Sequence, residues 1–218
     1  MILNNATIKL LCENGSSIYE PFEITTPDRK PMIDPFVDHQ VKTNDDGQPV
    51  VSYGLSYAGY DIRLNGEFRI FSKPNDGRII DIKSKSHFDY DDKVSEVVTG
   101  DSIVIPPGGL VISSTLERFN IPNSVMGIAL GKSTWARSGL IVNVTPLEPG
   151  WSGYLVVELT NGTNLPLKVY AYEGIAQIVF HVLNQPTGPY EGKYRDQVGV
   201  VGSRMSDNPD NHHYSERK

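Results

Sequence analysis

The stretch Ser102-Ile-Val-Ile-Pro-Pro-Gly-Gly-Leu-Val-Ile-Ser-Ser114 decides the class of fold. Two runs rich in β-branched residues, 102–105 and 110–114, flank Pro106-Pro-Gly-Gly109. The prolines there cannot donate to a ladder, and the glycines permit a sharp reversal. Working outward, the same grammar recurs. Residues 66–71 (Gly-Glu-Phe-Arg-Ile-Phe) and 78–82 (Arg-Ile-Ile-Asp-Ile) read as strands separated by the turn signal Pro74-Asn-Asp-Gly77. Downstream, 125–130, 140–144, 153–160, 167–172 and 175–183 also read as strands. Turn chemistry comes about every 8–15 residues, as in an all-β barrel or jelly roll. One short helix, 133–138, interrupts the series, and 5–13 reads as another ahead of it, with Asn4 or Asn5 as cap and Gly15 as stop. The fold class expected is therefore mainly β, a distorted barrel or jelly roll with a few short helices.

At 218 residues, with 39% hydrophobic and 21% charged side chains, the chain suits one large domain. We assign that domain to 1–204 and read 205–218 as a polar tail. Segment 16–50, punctuated by Pro21, Pro27, Pro31 and Pro35, reads as loops and short strands laid over the core. Residues 83–100 are polar and read as a surface excursion. Twenty basic against 26 acidic residues give a net charge of −6. That balance argues against a nucleic-acid partner, because phosphate-backbone affinity comes from clustered Lys and Arg. A small anionic substrate still fits if a few cations converge. The single cysteine, Cys12, excludes an intramolecular disulfide and every multi-cysteine zinc pattern. His39, His87, His181, His212 and His213 show no metal-ligand spacing, and the zinc-deaminase signature H-x-E…P-C-x-x-C is missing. No apolar run approaches the roughly 20 residues of a membrane span, and residues 1–5 lack the character of a signal peptide. The expectation is a cytoplasmic protein with no membrane partner.

Three constellations could carry chemistry. In Gly131-Lys-Ser-Thr-Trp-Ala-Arg137 a glycine turn opens a helix, and free N–H groups with Lys132 and Arg137 suit phosphate. The alternative is an ordinary turn, since a P-loop needs glycine at 126, which is Met. In Tyr154-Leu-Val-Val-Glu-Leu-Thr160, alternation puts Tyr154, Val156, Glu158 and Thr160 on one face. Either Glu158 is a desolvated carboxylate with the raised pKa a proton shuttle needs, or it sits wet at a barrel mouth. Tyr190 with Lys193-Tyr-Arg-Asp-Gln197 mixes cations and aromatics. It could hold phosphates and cover a base, or be a solvated tail.

Together these pieces resemble the dCTP deaminase branch of the dUTPase-like superfamily. The resemblance rests on four blocks: Val51-Ser-Tyr-Gly-Leu-Ser-Tyr-Ala-Gly-Tyr-Asp-Ile-Arg63, the Gly131–Arg137 run, Val144-Thr-Pro-Leu-Glu-Pro-Gly-Trp-Ser-Gly-Tyr-Leu-Val-Val-Glu158, and Lys193-Tyr-Arg-Asp-Gln197 with Gly199. It covers roughly 50–72 and 100–204. It implies a dUTPase-like barrel, a homotrimer with active sites between neighbours, and hydrolysis of the cytosine C4 amine of dCTP to give dUTP for dUMP and thymidylate synthesis. Zinc is not implied; Mg2+ enters with the triphosphate. By position, Glu158 would shuttle protons while Ser133 and Arg137 orient the water and the glutamate. Lys132, Ser133, Thr134, Trp135, Ala136 and Arg137 would form the nucleotide-binding run, with Val156 and Val157 near the base. Gln177, Tyr190, Lys193, Tyr194 and Gln197 would complete the pocket, part of it as a flap. Segments 13–35 and 74–100 are longer than is usual in the family. Pro146-Leu-Glu148 is shorter than a loop some members carry, and Glu148 receives no role. A bifunctional enzyme releasing dUMP and pyrophosphate, a dUTPase, and a non-catalytic nucleotide-binding relative are the alternatives. The Thr145–Pro149 segment, where dUTPases carry an acid-bearing A-G-x-I-D-like element, favours the first reading.

Overall fold

Asn4 starts the first element as its residue type dictates. Its side chain accepts the Thr7 N–H at 3.0 Å and caps helix α1 (Asn5–Glu13), which buries Ile8, Leu11 and Cys12 on one face. Gly15 follows with φ +66°, and a Cβ there would lie 2.3 Å from the Arg29 carbonyl oxygen, so the close approach demands glycine. The computed structural model describes residues 1–20, 22–71 and 95–203.

Segment 16–50 holds short strands, as its proline punctuation suggests: β1 (Ser16–Tyr19) paired with β2 (Phe22–Thr25), then β3 (Ile33–Asp34), β4 (Gln40–Thr43) and the start of β5 (Pro49–Ser56). The series continues with β6 (Gly59–Phe71), β7 (Ser95–Thr99), β8 (Ser102–Ile105), β9 (Leu110–Asn120), β10 (Val125–Gly131) and helix α2 (Ser133–Arg137). It ends with β11 (Leu140–Asn143), β12 (Ser152–Asn161), β13 (Leu167–Tyr170) and β14 (Gly174–Val182). Two readings need correction. Residues 95–99 are an edge strand paired with β6 rather than part of a surface excursion, and β9 runs past 114 to Asn120. The strand read at 78–82 and the 205–218 tail lie outside the described residues.

The main sheet runs β10-β14-β6-β9-β12-β11, every neighbour antiparallel. β6 makes it curl. Its first half pairs with β5 and β14 and its second with β7 and β9. The register to β9 shifts between Leu64 and Phe68, around Gly66 at φ +83°. A bulge at a left-handed glycine bends a strand and steepens its twist, so one strand serves both halves. Tyr60, Ile62, Leu64 and Phe68 of β6 are fully buried and meet Phe119, Val157, Leu159, Ile178 and Phe180 in one core.

One charge pair is drawn into that core. Glu117 of β9 is completely buried and accepts Arg63 Nε at 2.7 Å and the Arg63 backbone N–H at 3.0 Å. Burial pushes the Glu117 carboxyl up, against the pull of the Arg63 guanidinium. The Arg63 guanidinium also lies 4.6 Å from the centre of the Tyr53 ring.

Candidate active site

Strand β12 alternates as its sequence predicts. Leu155, Val157 and Leu159 face the core, while Tyr154, Val156, Glu158 and Thr160 are half-buried on the other side. Over that outer face lies a cavity of about 440 Å³, lined in part by Val156, Glu158, Tyr190, Tyr194 and Gln197. That volume suits a small-molecule ligand. Burial raises the Glu158 carboxyl above the usual carboxylate range; its own backbone N–H and the Asn143 amide, 3.5 Å from Oε2, pull it back only in part.

The cavity is roofed by the chain after β14. The Tyr190 N–H donates to the Pro149 carbonyl at 2.9 Å, and the Asp196 N–H to that of Ser152 at 2.8 Å. Gln197 Nε2 donates to the Tyr154 carbonyl at 2.9 Å, and Trp151 Nε1 to that of Tyr194 at 2.9 Å. Arg118 clasps Asp196 at 2.8 Å, and the Val200 N–H reaches Glu67 Oε1 at 3.2 Å. The 149–151 turn allows the crossing: Gly150 has φ +74°, and a Cβ there would sit 2.6 Å from Pro189 Cα. Segment 190–200 is thus bonded across the cavity rather than solvated. Lys193 is exposed with its ammonium 5.4 Å from the Tyr194 ring centre. Arg195 instead lines a separate groove with Asn123 and Glu23.

The Gly131–Arg137 run occupies a second surface. Helix α2 buries Trp135, whose indole N–H donates to the Gly174 carbonyl at 2.8 Å, and leaves Ser133, Thr134, Ala136 and Arg137 exposed. Trp135 is therefore the anchor of the helix, its ring turned into the core. Lys132 is half-buried and paired with the buried carboxylate of Asp61. Asp61 pairs across strands with Gln177, whose amide donates to Ser56 Oγ at 2.9 Å. Ala136 lines a groove with Gly131, Gly139, Ile141 and Gly162. Val157 likewise faces the core with no exposed surface, so only its main chain could approach a base.

The structure thus gathers Val156, Glu158, Tyr190, Tyr194 and Gln197 in one place, and Lys132, Ser133, Thr134, Arg137 and Gln177 in another. Leu140, just after α2, lies opposite Asn161, and Asn143 opposite Glu158. The helix therefore enters β11 roughly 10 Å along the strand from the glutamate. Among the described residues the Glu158 carboxylate makes no hydrogen bond or ion pair with Lys132, Ser133, Thr134, Arg137 or Gln177. Sequence reasoning missed Ile112, Thr145, Leu147 and Trp151, and gave no role to Glu148, though all line the cavity. The signal for Ile112 was alternation along β9, which sets it on the face opposite Val111; the other four lie in the 144–158 block that carries the resemblance. Among the described residues no three His, Cys, Asp or Glu side chains cluster as metal ligands, and no helix is long and apolar enough to cross a membrane.

A family model described as dCTP deaminase-like matches residues 23–183, nearly all of the sheet just described. The chain belongs to that family. Its relatives include the dCTP deaminase of Herpetosiphon aurantiacus, 47% identical over 80% of this chain and 91% of the relative. The dCTP deaminase of Acidobacterium capsulatum is 44% identical over 79% and 90%. A crystal structure of the 2'-deoxycytidine 5'-triphosphate deaminase from Agrobacterium tumefaciens aligns with a TM-score of 0.54 at 19% identity. That alignment covers 83% of this chain but about half (47%) of the Agrobacterium chain, and it speaks for the fold.

Proposed function

We propose that the protein hydrolyses the C4 amine of dCTP, releasing dUTP and ammonia, with Glu158 as the proton shuttle and without zinc. The observation that carries the reading is the half-buried Glu158 carboxyl, held above its usual range in a nucleotide-sized cavity. The relatives named dCTP deaminase support the substrate. A base that must both take and return protons near neutral pH works best with such a raised pKa. The carboxylate carries two protons in turn. The first passes from water to ring N3 as the water oxygen adds to C4; the second passes from the new C4 hydroxyl to the amine as the C4–N bond breaks. Water and dCTP go in, dUTP and ammonia come out, and the glutamate ends as it began.

The separation of Ser133 and Arg137 from Glu158 has a simple resolution: the site closes between copies of the chain. We assign the second half of each site to a neighbour in a homotrimer. Ile141, exposed in the α2 groove, and Ile128 and Leu130, exposed on the strand β10 that ends at the groove's Gly131, supply apolar surface for such a contact. The triphosphate, with the Mg2+ it carries as part of the substrate, would meet Lys132 and Arg137. Asp61 beside Lys132 keeps one buried oxygen without a hydrogen-bond partner among the described residues. Tyr190, Lys193 and Gln197 would cover the bound nucleotide.

Incubation with Mg2+ and dCTP tests the reaction. Ammonia should appear in step with dUTP, and stoichiometric pyrophosphate would instead establish the bifunctional alternative. Glu158→Gln keeps size and polarity but removes the base. It should lose turnover by roughly 10²–10⁴-fold with dCTP binding retained; turnover within about tenfold of wild type rejects the shuttle role.

A further inference from the structure

Glu158 belongs to a row of side chains that crosses four strands. Arg69 of β6 lies opposite Ile112 of β9, Ile112 opposite Glu158 of β12, and Glu158 opposite Asn143 of β11. Directly opposed residues share a face of the sheet, so the carboxylate has an apolar flank on one side and an amide on the other. Ile112 lines the cavity beside Glu158, and the Asn143 amide nitrogen sits 3.5 Å from Glu158 Oε2.

We propose that Asn143 is a positioning residue that holds Oε2 of Glu158 so that Oε1 meets the reacting water, while Ile112 keeps solvent off the opposite flank. The inference rests on the shuttle reading of Glu158 and adds what sets its acidity and orientation. Magnitudes fix the balance between the two neighbours. At 3.5 Å the amide is at the long end of hydrogen bonding and stabilises the carboxylate weakly, so burial wins and the carboxyl stays raised. A shorter contact would hold the carboxylate ionised and make it a poorer base.

Other titratable groups share this surface. Glu67 and Arg69 project from β6, Tyr154 from β12, Glu148 from the loop before β12, and Tyr190 and Tyr194 from the roof. In the proposed assembly Arg137 of the partner subunit joins them. Glu67 accepts the Val200 N–H, and Arg69 donates to Ser95 at 3.0 Å. Among the described residues, Asn143 is the side chain that hydrogen-bonds the Glu158 carboxylate.

The test is the pH dependence of turnover together with direct titration of Glu158 by carboxyl carbon NMR, assigned by difference against Glu158→Gln. Removing the amide in Asn143→Ala should move the acidic limb of kcat, and the titration itself, up by roughly 0.5–1 unit. Asn143→Asp, which sets a second carboxylate there, should move both further in the same direction. Ile112→Thr admits water and should move both down. Asn143 is exposed, so its two variants should keep the wild-type melting temperature. The plateau kcat of Asn143→Ala should fall several-fold with KM little changed, as expected when an orienting contact rather than binding is lost. An unmoved Glu158 titration in Asn143→Ala and Asn143→Asp, or a shift of the same sign in Ile112→Thr, overturns the proposal. The titration needs no turnover, so it decides this point even if dCTP proves not to be the substrate. A protein that titrates as stated but releases no ammonia refutes the shuttle reading instead.

Discussion

Two defective chains should make a working enzyme. Glu158 and the Ser133–Arg137 run lie on different surfaces of one chain, and β11 puts roughly 10 Å of strand between them. A chain carrying Glu158→Gln keeps a sound α2 surface; one carrying Arg137→Ala keeps a sound glutamate. Each alone should retain about 1% of wild-type turnover or less, given the usual worth of acid–base and orienting groups. When the two mix at random in a closed ring, each site draws an intact glutamate with a chance of about one half. It draws an intact α2 with the same chance, so about a quarter of the sites recover, whatever the number of subunits. Distinct affinity tags on the two variants sharpen the result. After purification through both tags every ring is mixed, and a trimer then holds one intact site in about three, a dimer one in about two. Ammonia release from dCTP per subunit therefore reports both the sharing of the site and the size of the ring. Arg137 is exposed and Gln matches Glu in shape, so folding does not confound the comparison. Turnover of the doubly tagged sample no higher than the mean of the single variants refutes the shared site and returns both halves to one chain.

Two further predictions concern the frame. Glu117→Gln leaves Arg63 as an unpaired charge in the core, and breaking a buried ion pair costs roughly 3–5 kcal/mol; an unfolding free energy from denaturant titration within about 1 kcal/mol of wild type contradicts the pairing. Ending the chain before Tyr190 removes the roof over Glu158. Nucleotide affinity measured by calorimetry should drop at least tenfold, about 1.4 kcal/mol, and unchanged affinity removes the covering role.

Much of the frame was legible in short windows of sequence. The β-branched runs at 102–105 and 110–114, the turn between them and the asparagine cap of α1 are local facts, settled by propensity and by side chains reaching their own backbone. The face of Glu158 was legible too, because a strand's period of two needs no partner. Windows failed where a residue's state depends on distant chain. The strand read at 110–114 runs on to Asn120 because Arg63, 54 residues before Glu117, supplies the charge that lets that carboxylate be buried. Residues 95–99 read as a surface excursion until β6 offers them an edge.

The site divides along the same line. The sequence by itself determined that a glutamate stands on the outward face of one strand and that a glycine turn opens a cationic helix. Only the tertiary structure decided that Ile112 and Asn143 flank that glutamate, that Trp135 is an anchor, that the C-terminal segment roofs the cavity, and that Ser133 and Arg137 lie on another surface. The reason is physical. Propensity and periodicity act over a few residues, whereas strand register and the desolvation of a carboxylate depend on which distant segments pair, and a single stretch of chain carries no record of its neighbours.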